Sequence, residues 1–143
     1  MKPFTYRRRV RLKDTDAAGV VFFVNPLVMV HEAFEACLDE GGASIATILT
    51  ERAFALPIVE ATTKQRRPLR VGDDVDIELS LEKLGTSSLI VCGTLKVGDV
   101  VVGTTRTVHV AIDPQGASCP LPAAVRQAVA GRLPLLAPTP APA

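Results

Sequence analysis

Asp14 and Asp16 stand two residues apart at the end of a basic, strand-like segment. A turn ending in Gly19 and an apolar stretch then carry the chain to Asn25-Pro26. A carboxylate can attack an acyl carbon or take a proton from water. The first amides of a helix have no intrahelical acceptor and carry the positive end of the helix dipole. Brought to one point, the two provide for hydrolysis of an activated acyl group: Asp16 as nucleophile or general base, and an amide within Phe22-Phe23-Val24 as donor to the developing oxyanion.

Other meanings of Asp-x-Asp can be tested on the same residues. An EF-hand loop starting at Asp14 would place its glycine at Gly19, which fits. It would also need ligands where Ala18 and Asn25 stand, so calcium is excluded. A phosphatase loop of the Asp-x-Asp type needs a parallel sheet, whereas the strands downstream are hairpin-connected. A structural alternative stays open, in which one or both aspartates bond turn amides or balance Arg9 and Arg11. Neither Gly-x-Ser-x-Gly nor a Ser/His/Asp order is present for ester or amide hydrolysis. A thioester needs less, because a thiolate with a pKa of about 8.5 leaves without a proton donor.

The elements that must position these groups follow from periodicity. Phe4, Tyr6, Val10 and Leu12 alternate with Arg7, Arg9 and Arg11, with Arg8 breaking the inner row of the strand. Asn25 is the expected N-cap and Pro26 the first helical residue. Leu27, Val30, His31, Phe34, Cys37 and Leu38 recur at helical spacing, and Met29, Ala33 and Ala36 widen the apolar surface, so this helix should be buried on most sides. Glu32, Glu35 and Asp39 form its narrow polar edge. Gly41-Gly42 ends it, and Ser44 caps a short second helix running to about Thr50. Period-two patterning predicts strands over Leu56 to Arg66, Asp74 to Glu82, Leu89 to Val97 and Val100 to Ile112, with Pro57 marking an edge and Gly98-Asp99 a tight hairpin. Pro122 to Arg132 can form a last short helix. The expected architecture is α+β, with five mostly antiparallel strands curled around one long helix. Residues 1–132 form a single domain, and 133–143, where four of the eleven prolines fall in the last ten residues, form a disordered tail.

The 143 residues suit one domain, and no apolar run reaches membrane-spanning length. Cys37, Cys92 and Cys119 form no CxxC pair and no metal-ligand spacing, and no secretory signal is visible, so a cytoplasmic location is expected. Six of the sixteen basic residues lie in the first thirteen positions: Lys2, Arg7, Arg8, Arg9, Arg11 and Lys13. They read as the solvated face of an edge strand or as contacts to a phosphorylated small molecule. A net charge of +1 with one Tyr and no Trp argues against nucleic acid.

The segment Asp14-Thr15-Asp16-Ala17-Ala18-Gly19-Val20-Val21-Phe22-Phe23-Val24-Asn25 resembles the signature of hotdog-fold acyl-CoA thioesterases of the 4-hydroxybenzoyl-CoA thioesterase type, and the likeness extends over roughly Phe4 to Ile112. The resemblance implies that Asp16 is the catalytic carboxylate and that the Phe23 amide is the oxyanion donor. It places Gly19, Val24 and His31 against the acyl group. It also implies a homodimer or homotetramer with active sites at the subunit interface, and no cofactor beyond the coenzyme A of the acyl-CoA substrate. Where the 4-hydroxybenzoyl enzymes carry an aspartate that holds the phenol, this chain has His31. His31-Glu32 followed by Ala-Phe-Glu looks more like the 1,4-dihydroxy-2-naphthoyl-CoA thioesterases of phylloquinone and menaquinone synthesis. His31 then faces the acyl pocket, or is a core histidine on the helix's apolar stripe. Glu60 and Thr62, on the second strand, could reach a neighbouring site. Lys64, Arg66 and Arg67, with Ser87 and Ser88 at a turn, are the candidates for the coenzyme A phosphates.

Overall fold

The computed structural model describes residues 2–137. Five strands, β1 (Phe4–Arg9), β2 (Ile58–Gln65), β3 (Asp74–Leu84), β4 (Ser88–Val97) and β5 (Val100–Val110), form one antiparallel sheet in the order β1-β3-β4-β5-β2. Helices α1 (Asn25–Glu40), α2 (Ile45–Glu51) and α3 (Ala123–Ala130) complete the domain. The inner faces of β3 and β4 bury Val75, Ile77, Leu79, Leu81, Leu89, Val91 and Leu95 against Met29, Val30, Ala33, Phe34, Cys37 and Leu38 of α1. Bulges in the pairings of β3 with β4, β4 with β5 and β2 with β5 bend the sheet around the helix. This is the α+β arrangement expected from the periodicity, a sheet curled around one long helix, and the one the hotdog resemblance implied.

Close approach of α1 to the sheet depends on Gly93. A Cβ there would lie 2.7 Å from Thr105 Oγ1 and 2.8 Å from both methyls of Val30. Ser44 caps α2 as expected, its Oγ accepting the Thr47 amide at 3.1 Å. As Pro57 implied, β2 is an edge strand, and it is exposed on both faces over most of its length.

The basic run of the first strand is answered by acids across the sheet. Arg7 pairs with Asp76 and Arg9 with Asp74, each directly opposite in register at 2.8 and 2.9 Å. Those arginines hold both carboxyls below their usual range. The run is therefore largely the salt-bridged face of an edge strand.

Several boundaries differ from expectation. β1 stops at Arg9, because Leu12 to Asp14 turn into a single 3₁₀ turn, and Leu12 is 78% exposed instead of lying on the inner row. Arg8 occupies that row, where its guanidinium finds carboxylates. Asn25 is the first helical residue and Val24 the N-cap. The Asn25 side chain bonds outside the helix, to the Asp14 carbonyl, so it does not cap. The tail does not begin disordered at 133. Leu133 is buried, Leu135 bridges Leu81 in parallel, and Leu81 exchanges backbone bonds with Pro134 and Leu136 just beyond Leu79, the partner of Phe4 at the start of β1, where the edge of β3 is open. The remainder of that expected tail, from 138, lies outside the described residues.

Candidate active site

The Asp16 loop is a short hairpin closed by a bridge between Thr15 and Val21. The Asp16 amide donates to the Val20 carbonyl and the Gly19 amide to the Asp16 carbonyl, and Gly19 takes φ +80°, a conformation that costs glycine little. One carboxylate oxygen of Asp16 accepts the Ala18 amide at 2.8 Å. The other has no partner among the described residues, and the residue is exposed. The turn thus fixes the carboxyl group through one oxygen and leaves the second free to react.

Downstream, the Phe22 amide donates to the Asp14 carbonyl and the Asn25 amide to the Phe22 carbonyl. The Phe23 and Val24 amides between them bond no described residue. They stand at the start of α1, where the dipole favours negative charge. Phe23 is 64% exposed and lines a cleft of about 320 Å³ with Val20, Val21, Arg66, Arg67 and Leu69. Arg66 and Arg67 are held there by their amides, both of which donate to the Val102 carbonyl.

The other candidate phosphate contacts are not in this cleft. Lys64 points to the outer face of the sheet with Thr62 and Arg106. Ser87 and Ser88 sit at the far end of β4, and the stretch of β5 from Val102 to Val110 separates them from Arg66 by roughly 26 Å at the usual rise per residue. Within one chain these residues do not form one phosphate site. Glu60 lies 3.6 Å from Arg106, a structural pairing on the outer face.

His31 is neither fully in the core nor free of it. Its side chain is 40% exposed, and Nδ1 lies 3.3 Å from Glu35 one turn on. It lines a narrow crevice with Leu27, Phe34, Val91, Thr107 and His109. His109 was not singled out in the sequence. Its ring is 2% exposed and packs 4.9 Å from that of Phe34, with Nε2 2.9 Å from Thr107 Oγ1. Burial, reinforced by His31, pushes its pKa down to about 4, so the ring is neutral at pH 7. Thr105, Thr107 and His109 form a polar row on the inner face of β5, and Thr105 Oγ1 is buried without a partner among the described residues.

Asp14 is placed quite differently from Asp16. It is 5% exposed, and its carboxylate takes both arms of the Arg8 fork at 2.6 and 2.9 Å. Arg8 is the main cause of its lowered pKa. Arg8 also bonds Glu32 of α1 at 2.6 Å. The signal for this cluster was Arg8 itself, a charge on the inner row of a strand. Among the described residues, no group of three or more His, Cys, Asp or Glu is placed to hold a metal ion.

Residues 10–129 match the thioesterase-like superfamily. The chain belongs to the thioesterase-like superfamily. Among its relatives in that superfamily is a protein of Nostoc punctiforme named 1,4-dihydroxy-2-naphthoyl-CoA hydrolase, 42% identical over 110 residues that cover 77% of this chain and 74% of the relative. A namesake from Trichodesmium erythraeum is 38% identical over 80% of this chain and 86% of its own. Among solved structures, a 1,4-dihydroxy-2-naphthoyl-CoA thioesterase from Synechocystis superposes with a TM-score of 0.84 at 32% identity, covering 89% of this chain and 95% of that one. A gentisyl-coenzyme A thioesterase gives 0.79 at 33% identity, over 85% and 98%.

Proposed function

We propose that this chain is an acyl-CoA thioesterase whose substrate is 1,4-dihydroxy-2-naphthoyl-CoA, the substrate named for its Nostoc and Synechocystis relatives. The observation that carries the reading is the unbonded Phe23 amide at the start of α1, in one cleft with Arg66 and Arg67. The thioester carbonyl receives the Phe23 amide. Asp16 either attacks the carbonyl carbon, forming a mixed anhydride that water then hydrolyses to the acid and free Asp16, or takes the proton of a water that attacks directly; in both, coenzyme A leaves as the thiolate, its phosphates toward Arg66 and Arg67. The acyl group runs along α1 toward His31, six residues and about 9 Å beyond Asn25 at the usual helical rise.

The working unit in this reading is a homodimer or a larger assembly of such pairs. An edge strand with Val59 61% exposed and Ile58 40% exposed is an open template for a second copy. Antiparallel pairing along β2 would bring the end of the sheet that carries Ser87 and Ser88 in one copy toward the Arg66 end of the other. That is the arrangement in which those serines and arginines can serve one coenzyme A.

A thiol-release assay over a panel of CoA esters, with Asp16→Asn in parallel, tests the proposal. Hydrolysis of the naphthoyl ester with loss of about 10²- to 10⁴-fold in kcat on Asp16→Asn is the expected result. Full rate in the mutant removes Asp16 from the chemistry. The gentisyl-coenzyme A thioesterase among the similar structures favours a second reading, a monocyclic dihydroxybenzoyl ester. Preference for that ester would move the substrate and leave the catalytic assignment standing.

A further inference from the structure

We propose that Arg8, Asp14 and Asn25 are positioning residues that set the Asp16 carboxylate against the Phe23 amide, an inference that rests on those two groups being the reacting ones. Asp14 is bonded from both its ends. Its carboxylate takes the Arg8 fork and the Arg11 amide at 2.8 Å. Its carbonyl takes two donors from the start of α1, the Phe22 amide at 2.9 Å and Asn25 Nδ2 at 2.8 Å. Arg8 then reaches past Asp14 to Glu32, two turns into the same helix. The residue two before the reacting carboxylate is therefore tied to the residue immediately before the oxyanion donor, to the first residue of the helix behind that donor, and through Arg8 to the body of the helix.

The arrangement is costly for mere stability. The Arg8 and Asp14 side chains are 12% and 8% exposed, and charges taken so far out of water recover their desolvation only with near-ideal geometry, so apolar residues of similar size commonly serve a core as well. What apolar packing cannot supply is a directional link. The Phe22 bond to Asp14 occupies one amide of the helix start and leaves the next, that of Phe23, without a partner among the described residues, in a residue that lines the cleft. Asp16 sits on a hairpin loop whose far side is solvent, so its distance from that amide is governed by the Asp14 anchor. A displacement of about 1 Å between reacting groups can cost a hundredfold in rate.

The test compares Asn25→Ala, Arg8→Lys and Asp14→Asn with wild type and Asp16→Asn in the full chain. It measures kcat and KM on the ester that wild type hydrolyses, thermal midpoints, and the fraction of chains that bind free coenzyme A by calorimetric titration. Asn25→Ala deletes one hydrogen bond at the surface of the clamp, and it keeps the proposal testable if the buried-charge variants do not fold. The expected result is a loss of about ten- to a hundredfold in kcat per coenzyme A-binding site, with KM within about twofold of wild type, for Asn25→Ala and Arg8→Lys. A purely structural role would lower the midpoint and the binding fraction and leave kcat per site unchanged, and that result overturns the proposal. If Asp16→Asn is inactive while Asn25→Ala and Arg8→Lys keep wild-type kcat, the clamp is refuted and the reading of Asp16 survives. If Asp16→Asn itself keeps full rate, both fall.

Discussion

His109 makes the stability of this protein depend on pH in a window where few other groups titrate. Its folded pKa of about 4 lies below the value of about 6.5 for a free imidazole. Above pH 6.5 the ring is neutral in both states and contributes no pH dependence. As pH falls, the unfolded chain takes up a proton that the folded chain refuses until about pH 4. Stability therefore declines with falling pH between these two values. The full span is worth about 3 kcal/mol, at 1.36 kcal/mol per unit, and the linkage expression gives about 2 kcal/mol already lost at pH 5. For a chain of 143 residues that corresponds to roughly 6 °C in the melting midpoint.

The measurement is denaturant unfolding at pH 7 and pH 5, at fixed protein concentration, for wild type and His109→Gln. The variant loses packing against Phe34, so its absolute stability is lower at both pH values. The informative quantity is the difference between slopes. Carboxylates with lowered pKa values, such as Asp14, destabilise on acidification in both proteins and cancel in the subtraction. Wild type should lose about 2 kcal/mol more than His109→Gln between pH 7 and pH 5. Parallel profiles would mean that the imidazole is hydrated or charge-compensated in the folded protein, and would refute its placement under α1.

Two further outcomes follow from the same geometry. Gly93→Ala should destabilise by roughly 1–3 kcal/mol in denaturant unfolding, because the new methyl meets Thr105 Oγ1 and both Val30 methyls inside 3.0 Å and must lever α1 away from the sheet. Arg66→Gln and Arg67→Gln should raise KM for CoA esters with kcat little changed, and the dependence of KM on salt should flatten in each; a change confined to kcat would place these arginines in the chemistry instead.

Much of the fold was legible because it depends on local patterns. The alternation of Val75, Ile77, Leu79 and Leu81 with Asp76, Glu78 and Ser80 is one face of β3 against the other, and it needs no tertiary knowledge to interpret. Ser44 before α2 and Pro57 before an edge strand are signals of the same kind. The boundaries that went astray are those where a tertiary bond overrides a local one. Asn25 has the chemistry of an N-cap, but the Asp14 carbonyl lies within its reach and takes the side chain away. The start of the expected tail went astray for a similar reason. The segment after α3 is rich in proline, yet the open edge of β3 beyond β1 offers Leu81 as a backbone partner to Pro134 and Leu136.

The site divides along the same line. Asp16, Gly19 and Phe23 fall in one short segment, so residue types and spacing were enough to nominate them together; Phe23 lines the cleft, and Asp16 and Gly19 lie on the hairpin loop just before it. Lys64, Arg66 and Arg67 are close in sequence as well, but alternation in β2 sends Lys64 to the outer face while the arginines, past the strand's end, turn to the cleft. Arg8, Asp14 and Glu32 are spread over 24 residues and meet only when β1 is laid beside α1. Even so, each left a trace that periodicity exposes: Arg8 on an inward position of a strand, and His109 on the inward row of β5 with Thr105 and Thr107. A polar residue on an apolar row must be answered by a partner or by loss of its charge. Arg8 is answered by two carboxylates and stays charged, whereas His109 has one hydroxyl and stays neutral. That difference separates a residue that can hold the Asp16 loop in register from one that can only record the acidity at which the core fails.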